Sequence, residues 1–351
     1  MSEKSKQVFF DASGRRSPVV YGLVGLLVAF IGALVTVFSI SVATTPALPS
    51  VKLNLEREYL SVLAVAHRTP VRGPAVNLAH ARSRVDKATS GTDRFAFYVN
   101  WDKNSFLSLR TAVKQLDGLM PEWLHLSGDQ GDIELDDERE QQNVDAWLTI
   151  NAPELKVMPV VNNYDPRNGA WHGETTARVL KSPEARARLV RNLKNYLAKG
   201  DFEGVVVDFK EVPAEDQEHL VSFLGELKSV LAADRRQLFA VVPAYAEPTH
   251  FHRIIEAVDR VVLLVYDQHA PHERPGPIAS QVWFETMLDK HFATTHGSKL
   301  IVAIGSYAID WDRPGNGRMA SIREMWDVLD RSGATFTFDP HALNPTFSYG
   351  E

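Results

Sequence analysis

The chain has no cysteine among its 351 residues, which removes disulfides, thiolate metal sites and a cysteine nucleophile from consideration. It also lacks a positive surplus: 38 basic residues face 44 acidic ones, a formal net charge of −6. No sequence-independent attraction to nucleic acid is expected. A third absence is local. No charged residue occurs between Arg16 and Lys52, and within that gap the run from Val19 to Val42 is almost wholly apolar. About 20 apolar residues in a helix span a hydrocarbon core of roughly 30 Å. The run is longer than the apolar region of about 7–15 residues in a cleaved signal peptide. Lys4, Lys6, Arg15 and Arg16 precede it, which by the positive-inside rule leaves the N-terminus in the cytoplasm. The expectation is a single-pass cell-membrane protein. Residues 1–17 form a cytoplasmic tail, residues 18–43 a transmembrane signal anchor, and the rest is periplasmic or extracellular. Cleavage after Ala43 or Ala47, or burial of the run as a core helix, are the alternatives.

The chain as a whole is ordinary in composition, with 44% apolar and 23% charged residues. Residues 44–93 carry Pro46, Pro49, Pro70 and Pro74 and little periodicity. They read as a linker with at most a short helix near residues 55–67. From Arg94 onward, short β-branched or aromatic runs alternate with amphipathic stretches, the pattern of βαβ units. Strands are expected at residues 95–100, 123–127, 156–162, 204–210, 238–243, 261–266 and 300–305. Helices are expected at 105–116, 138–150, 182–199, 214–233, 248–257, 282–296 and 321–332. Several strands end in polar or aromatic residues: Asn100 and Trp101, Asn162, Asn163 and Tyr164, Asp208, Tyr266 and Asp267. That distribution favours a (β/α)8 TIM-type barrel, whose site sits at the C-terminal strand ends, over a doubly wound open sheet. No glycine-rich phosphate loop succeeds the first strand. Residues 336–349 read as extended, and either supply an irregular eighth element or leave the barrel without its last strand.

The most informative segment is FEGVVVDFKEVP at residues 202–213. An aspartate ending an apolar strand is costly to bury unless it is paired or hydrogen-bonded. Side chains alternate along a strand, so Val206, Asp208 and Lys210 share one face while Val207, Phe209 and Glu211 share the other. Glu211 is expected to face the helices or cap the next one. This segment resembles glycoside hydrolase family 18, the chitinase-like barrels, whose fourth strand reads DGxDxDxE. Aligned on Gly204, the pattern falls on Glu203, Gly204, Val206, Asp208 and Lys210. It is more similar still to a bacterial subgroup reading GxxxDFEEVP, from which it departs at Lys210. FYVNW (97–101), PEWL (121–124), VVNNY (160–164), Tyr266 with Asp267, PGPI (275–278), IVAIG (301–305) and NPTFSY (344–349) extend the resemblance over residues 94–351.

The resemblance implies substrate-assisted retaining hydrolysis of an N-acetylglucosamine polysaccharide, an exception to the two-carboxylate scheme. It implies that Asp208 orients the acetamido group and that Tyr266 donates to its oxygen. Trp101, Asn162, Asn163, Tyr164 and Asp267 would line the substrate. Lys210 stands where the family has its acid, and losing a general acid costs about 10²–10⁴-fold in rate. The family's last strand, with a stacking tryptophan, is expected beyond Glu351, making the module C-terminally incomplete. The subgroup is often fused to a polysaccharide deacetylase and a family 2 glycosyltransferase, so such an enzyme is the expected protein partner. Three readings are open: a glycosidase, a catalytically inactive glycan-binding or partner-docking pseudoenzyme, and a plain structural barrel. Asp208 with Lys210 could equally be a structural ion pair. Trp101, Trp123 and Trp171 could stack on sugars or fill the core. Asp267, His269, His272 and Glu273 suggest a metal, but no second ligand set at zinc-like spacing accompanies them. They read as a solvated loop; no metal and no cofactor are expected. Residues 132–140, rich in charge, read as a solvated loop leading into a helix.

Overall fold

The computed structural model describes residues 92–350 apart from Lys103 and Thr294. The apolar run from Val19 to Val42, nearly all of the linker and its short helix lie outside the described residues. Among the described residues no helix is long and apolar enough to cross a membrane.

Seven parallel strands lie side by side in space in their sequence order: β1 (Phe95–Tyr98), β2 (Gly118–Ser127), β3 (Val160–Asn162), β4 (Gly204–Asp208), β5 (Gln237–Pro243), β6 (Arg260–Leu264) and β7 (Leu300–Ala303). Between them run α1 (Ser105–Ala112), α2 (Glu138–Asn151), α3 (Gly173–Lys181), α4 (Pro183–Leu197), α5 (Gln217–Ala233), α6 (Pro248–Ala257) and α7 (Gln281–Phe292); α8 (Ile322–Ser332) comes after β7. Local chemistry sets their ends. Ser182 accepts a hydrogen bond from the Ala185 amide with Pro183 opening α4, and Ser321 caps α8, which stops at Gly333 in the left-handed region.

Alternation along the strands divides two cores. Val205, Val207 and Phe209 join the layer between sheet and helices. Val206 joins a second cluster with Phe95, Phe97, Met120, Met158, Val160, Phe239, Val262, Leu264 and Ile301, drawn from all seven strands. Only a rolled sheet brings such residues together. The Phe95 and Phe239 rings, four strands apart, meet with centroids 5.8 Å apart, and Arg260 at the start of β6 pairs with Asp93 before β1 at 2.6 Å. The roll is TIM-type in its strand order and inward core. It is open, because no pairing joins β7 to β1 among the described residues.

The structure departs from the sequence expectations at several places, among them an unanticipated helix, α3, and an antiparallel pair of Tyr307–Arg313 with Asn316–Ser321. The third strand is broken: Lys156–Val157 pairs with β2, and β3 resumes at Val160 after Pro159, which lacks an N–H for the ladder. β2 begins at Gly118 rather than Trp123. The charged run is not a loop, since Asp132–Leu135 pairs antiparallel with the end of β2. Its alternating sequence turns Ile133 onto the outer core, and Asp137 then caps α2. Finally, Thr337–Phe338 pairs with Pro345–Thr346 as a separate hairpin and adds no eighth parallel strand.

Candidate active site

The mouth of the roll is built by register. His125 on β2, Asn162 on β3 and Asp208 on β4 are lateral partners in one row, at the C-terminal ends of their strands. The row beneath runs Glu122, Val160, Val206 and Phe239. A β-bulge between Glu122 and Leu124 sets the phase of β2. Trp123 and Leu124 both pack into the outer core, so Glu122 and His125, three apart, both face inward. Sequence alternation alone places only one of the two inside, which is why neither was anticipated.

Asp208 is buried, 6% exposed, and points inward as its alternation requires. Its Oδ2 lies 3.7 Å from the Lys210 Nζ. The same ammonium sits 4.3 Å from the Trp171 ring centroid, and Tyr164 packs against Trp171 at 5.1 Å. Burial raises the Asp208 carboxyl, partly offset by the Lys210 charge and hydrogen bond. The Lys210 backbone is held from outside: its N–H donates to Asn163 Oδ1 at 2.9 Å, and its carbonyl accepts from Asn163 Nδ2 at 2.8 Å. Asn163 also donates to Thr176 at 3.0 Å, so its amide braces the chain instead of projecting into the mouth. Glu211 neither caps a helix nor enters the core. It is exposed with φ 58°, and its carbonyl lies where a Cβ on Gly173 would fall, 1.8 Å away. Gly173 is therefore obligatory at this crossing.

Asn162 is fully buried. Its Oδ1 accepts from His125 Nδ1 at 2.7 Å and from the Tyr164 amide at 3.1 Å. The other face of the ring donates to Asp136 at 3.4 Å, and Asp136 also accepts from Asn100 at 2.9 Å. Burial lowers the His125 pKa, but the Asp136 and Asn162 hydrogen bonds and the Asp136 and Glu134 charges outweigh it, for a net rise. The His125 hydrogen bond holds Asp136 below its usual value despite burial, helped by Asn100. Glu122 is pushed up to about 7, first by burial and then by the Asp208 charge, against the opposing pull of Lys210 and His125.

Tyr266 packs against the inner core just beyond β6. Its phenol is raised by burial and by the charges of Asp267, Asp208 and Glu122. Tyr307 meets its ring edge-on at 6.0 Å and donates to Asp267, which has φ 66°. Two non-glycine residues in the left-handed region thus flank the mouth, at Glu211 and Asp267. Asp208, Lys210, Asn162 and Tyr266 converge. Trp101 stands off at the β1 rim, 76% exposed, while Trp123 is core. Beside Trp171 an open cleft of about 360 Å³ is lined by Asn163, Tyr164, Asp165, His172 and Thr176. His269 donates to the Pro277 carbonyl and Glu273 accepts from the Ala270 amide. Among the described residues no three metal-ligating side chains converge.

A rolled parallel sheet with carboxyl, imidazole and phenol groups gathered at the C-terminal strand ends defines a TIM-type domain with its candidate site in the usual place. The family model for Glycosyl hydrolases family 18 matches residues 93–342, and the chain belongs to that family. The curated proteins it resembles include an uncharacterized glycosylase, YvbX, of Bacillus subtilis, 25% identical over 207 residues, 56% of this chain and 60% of that one. The cortical fragment-lytic enzyme of Bacillus subtilis is 20% identical over 210 residues, 55% of this chain and 48% of that one. The chain thus spans about half to three-fifths of these relatives' length. Among solved structures, a chitinase from Chromobacterium violaceum superposes with TM-score 0.67 at 24% identity, over 74% of this chain and 83% of that one. A class V chitinase from tobacco, solved with NAG4, gives TM-score 0.60 at 14% identity, over 73% and 84%.

Proposed function

We propose that this glycoside hydrolase-like domain binds an N-acetylglucosamine-containing polysaccharide in its mouth and hydrolyses it weakly or not at all. One observation carries the reading. The position of the motif acid holds the Lys210 ammonium, fixed between the Asp208 carboxylate at 3.7 Å and the Trp171 ring at 4.3 Å. An ammonium in an ion pair is a poor proton donor to a leaving oxygen. The groups that would hold an acetamido moiety, Asp208 and Tyr266, are both present, and the Asp208 charge is among those that raise the Tyr266 phenol. The NAG4 bound to a family relative supports the choice of sugar. In this reading Val19 to Val42 anchors the chain in the cell membrane with the domain outside the cytoplasm. There it works beside a polysaccharide synthase or deacetylase.

Calorimetric titration of the full-length chain with an N-acetylglucosamine tetramer tests this, alongside an assay for new reducing ends. The expected result is binding without release of reducing ends, with affinity falling at least about tenfold in Asp208→Ala. Turnover at rates ordinary for the family would overturn the inactive assignment. Absence of binding by a folded chain would overturn the glycan reading itself.

A further inference from the structure

Asn162 has one half of its amide accounted for and the other half open. Along β3, Val160 faces the inner core and Val161 the outer one, so Asn162 faces inward, 1% exposed, in the row between His125 and Asp208. Its Oδ1 accepts from the Tyr164 main-chain N–H at 3.1 Å. Only the oxygen of a carboxamide can meet an N–H, so this contact fixes which way the side chain is turned. Oδ1 lies on the β2 side, against His125, and Nδ2 is therefore turned away from β2, toward Asp208 and the mouth. Among the described residues Nδ2 donates to no protein group. A donor so enclosed is costly to leave unmet.

The same orientation dictates the protons on His125, itself 6% exposed. Nδ1 faces the Asn162 oxygen at 2.7 Å, which only accepts, so Nδ1 carries a proton. Nε2 faces Asp136 Oδ1 at 3.4 Å. The other Asp136 oxygen takes the Asn100 amide, and the carboxyl is held below its usual value, in its ionised form, so Nε2 carries a proton as well. A neutral imidazole has a single N–H and would set a lone pair against one of the two oxygens. The surrounding charges agree. Asp136 and Asp208 are answered by His125 and Lys210, while Glu134, opposite His125 across the hairpin, has Arg167 at 3.6 Å. Glu122, the remaining carboxyl of the mouth, can only add negative charge. We propose that His125 is a positioning residue, an imidazolium at neutral pH that locks Asn162 with its N–H2 presented to an uncharged oxygen of the bound glycan. The mouth then offers a donor, Asn162, beside an acceptor, Asp208. When His125 loses its proton, a ring lone pair opposes the Asn162 oxygen, the lock fails and the donor is withdrawn. Affinity falls as pH rises through the His125 midpoint. The contact with the sugar rests on the glycan-binding reading; the charged, locked pair does not.

Histidine-selective ¹⁵N labelling of the full-length chain reads the ring directly, because imidazolium and the two neutral tautomers differ in nitrogen shift. The signal lost in His125→Gln identifies His125 among the 12 histidines; if that variant fails to fold, the histidine whose titration moves down in Asp136→Asn does so. Both nitrogens are expected to be protonated at pH 7 in the wild type, and the midpoint to fall in Asp136→Asn. A neutral His125 at pH 7 overturns the proposal. Titration with the N-acetylglucosamine tetramer from pH 5 to 10 then reads the donor. Wild-type affinity is expected to drop about tenfold through the His125 midpoint, and the drop to move with that midpoint in Asp136→Asn. Asn162→Ala should bind about tenfold more weakly at neutral pH, with no drop at that midpoint. A wild-type affinity indifferent to the His125 charge overturns the role of Asn162. Absence of tetramer binding at any pH, with His125 charged, overturns the glycan reading and leaves the locked amide standing.

Discussion

Replacing Lys210 by glutamate asks whether the rest of the site is competent. Lys210→Glu removes the ammonium 3.7 Å from Asp208 and puts a carboxyl in its place, on a backbone that Asn163 already holds at both N–H and C=O. Two like charges about 4 Å apart repel by up to about 4 kcal/mol at an effective dielectric near 20, or roughly three pKa units at the upper limit. The Lys210 side chain is 33% exposed, so solvent screening cuts this to about one or two units. A glutamate beginning near 4.3 would then titrate at about 5–6 and remain protonated in mild acid, as a proton donor must. Hydrolysis of a chromogenic N-acetylglucosamine oligomer should rise by about 10²–10⁴-fold over the parent chain, peaking in mild acid and falling as the introduced carboxyl ionises. Near-ultraviolet circular dichroism and tetramer binding establish that the variant is folded and loaded. A folded variant that binds the tetramer yet shows no turnover at any pH would refute the claim that Lys210 is the defect.

The same geometry fixes the outcome of three other perturbations. His125 is raised and Asp136 lowered in the folded chain. The first contribution is complete below the unfolded histidine value and is lost as pH rises through the folded one. The second is complete above the unfolded aspartate value and is lost as pH falls. Asp136→Asn should therefore cost about 1–2 kcal/mol between roughly pH 4.5 and 6.5, and less on either side, in denaturant unfolding; a pH-independent difference would contradict the pairing. Gly173→Ala should lower the calorimetric Tm by about 4–8 °C, since its methyl overlaps the Glu211 carbonyl and overpacking of that kind costs about 2 kcal/mol. An unchanged Tm would mean that the 210–211 turn yields freely. Trp171→Ala should weaken tetramer binding by about 0.5–2 kcal/mol, through loss of the ring that carries the Lys210 ammonium; unchanged affinity would place Trp171 outside the ligand's reach.

The central strands were legible because they are short apolar runs buried on both faces, with β4 the clearest. Helix ends were legible where a cap announced them, as Ser182 does for α4. The inward turn of Asp208 came from strict alternation within Val205, Val206 and Val207. What escaped the sequence escaped for the opposite reason. The β2 bulge breaks alternation at Trp123, so Glu122 and His125 looked like members of opposite faces. Asp136 looked like one charge in a solvated run, because its partner lies across a hairpin that charge composition conceals. The hold of Asn163 on residue 210 was hidden, because nothing local shows that its amide reaches a backbone 47 residues away. The PEWLH spacing was the available signal: two ionisable residues bracket an adjacent apolar pair, Trp123 and Leu124, which strict alternation cannot place on one face.

The double grip of Asn163 on residue 210 has an evolutionary side. Most catalytic side chains help to hold their own loop, so exchanging one disturbs the scaffold as well as the chemistry. At this position the main chain is secured by a neighbouring strand, and the side chain hangs free of that duty. Acid and cation become interchangeable tenants of one fixed address, and a lineage can cross between cutting a polymer and merely holding it by changing a single codon.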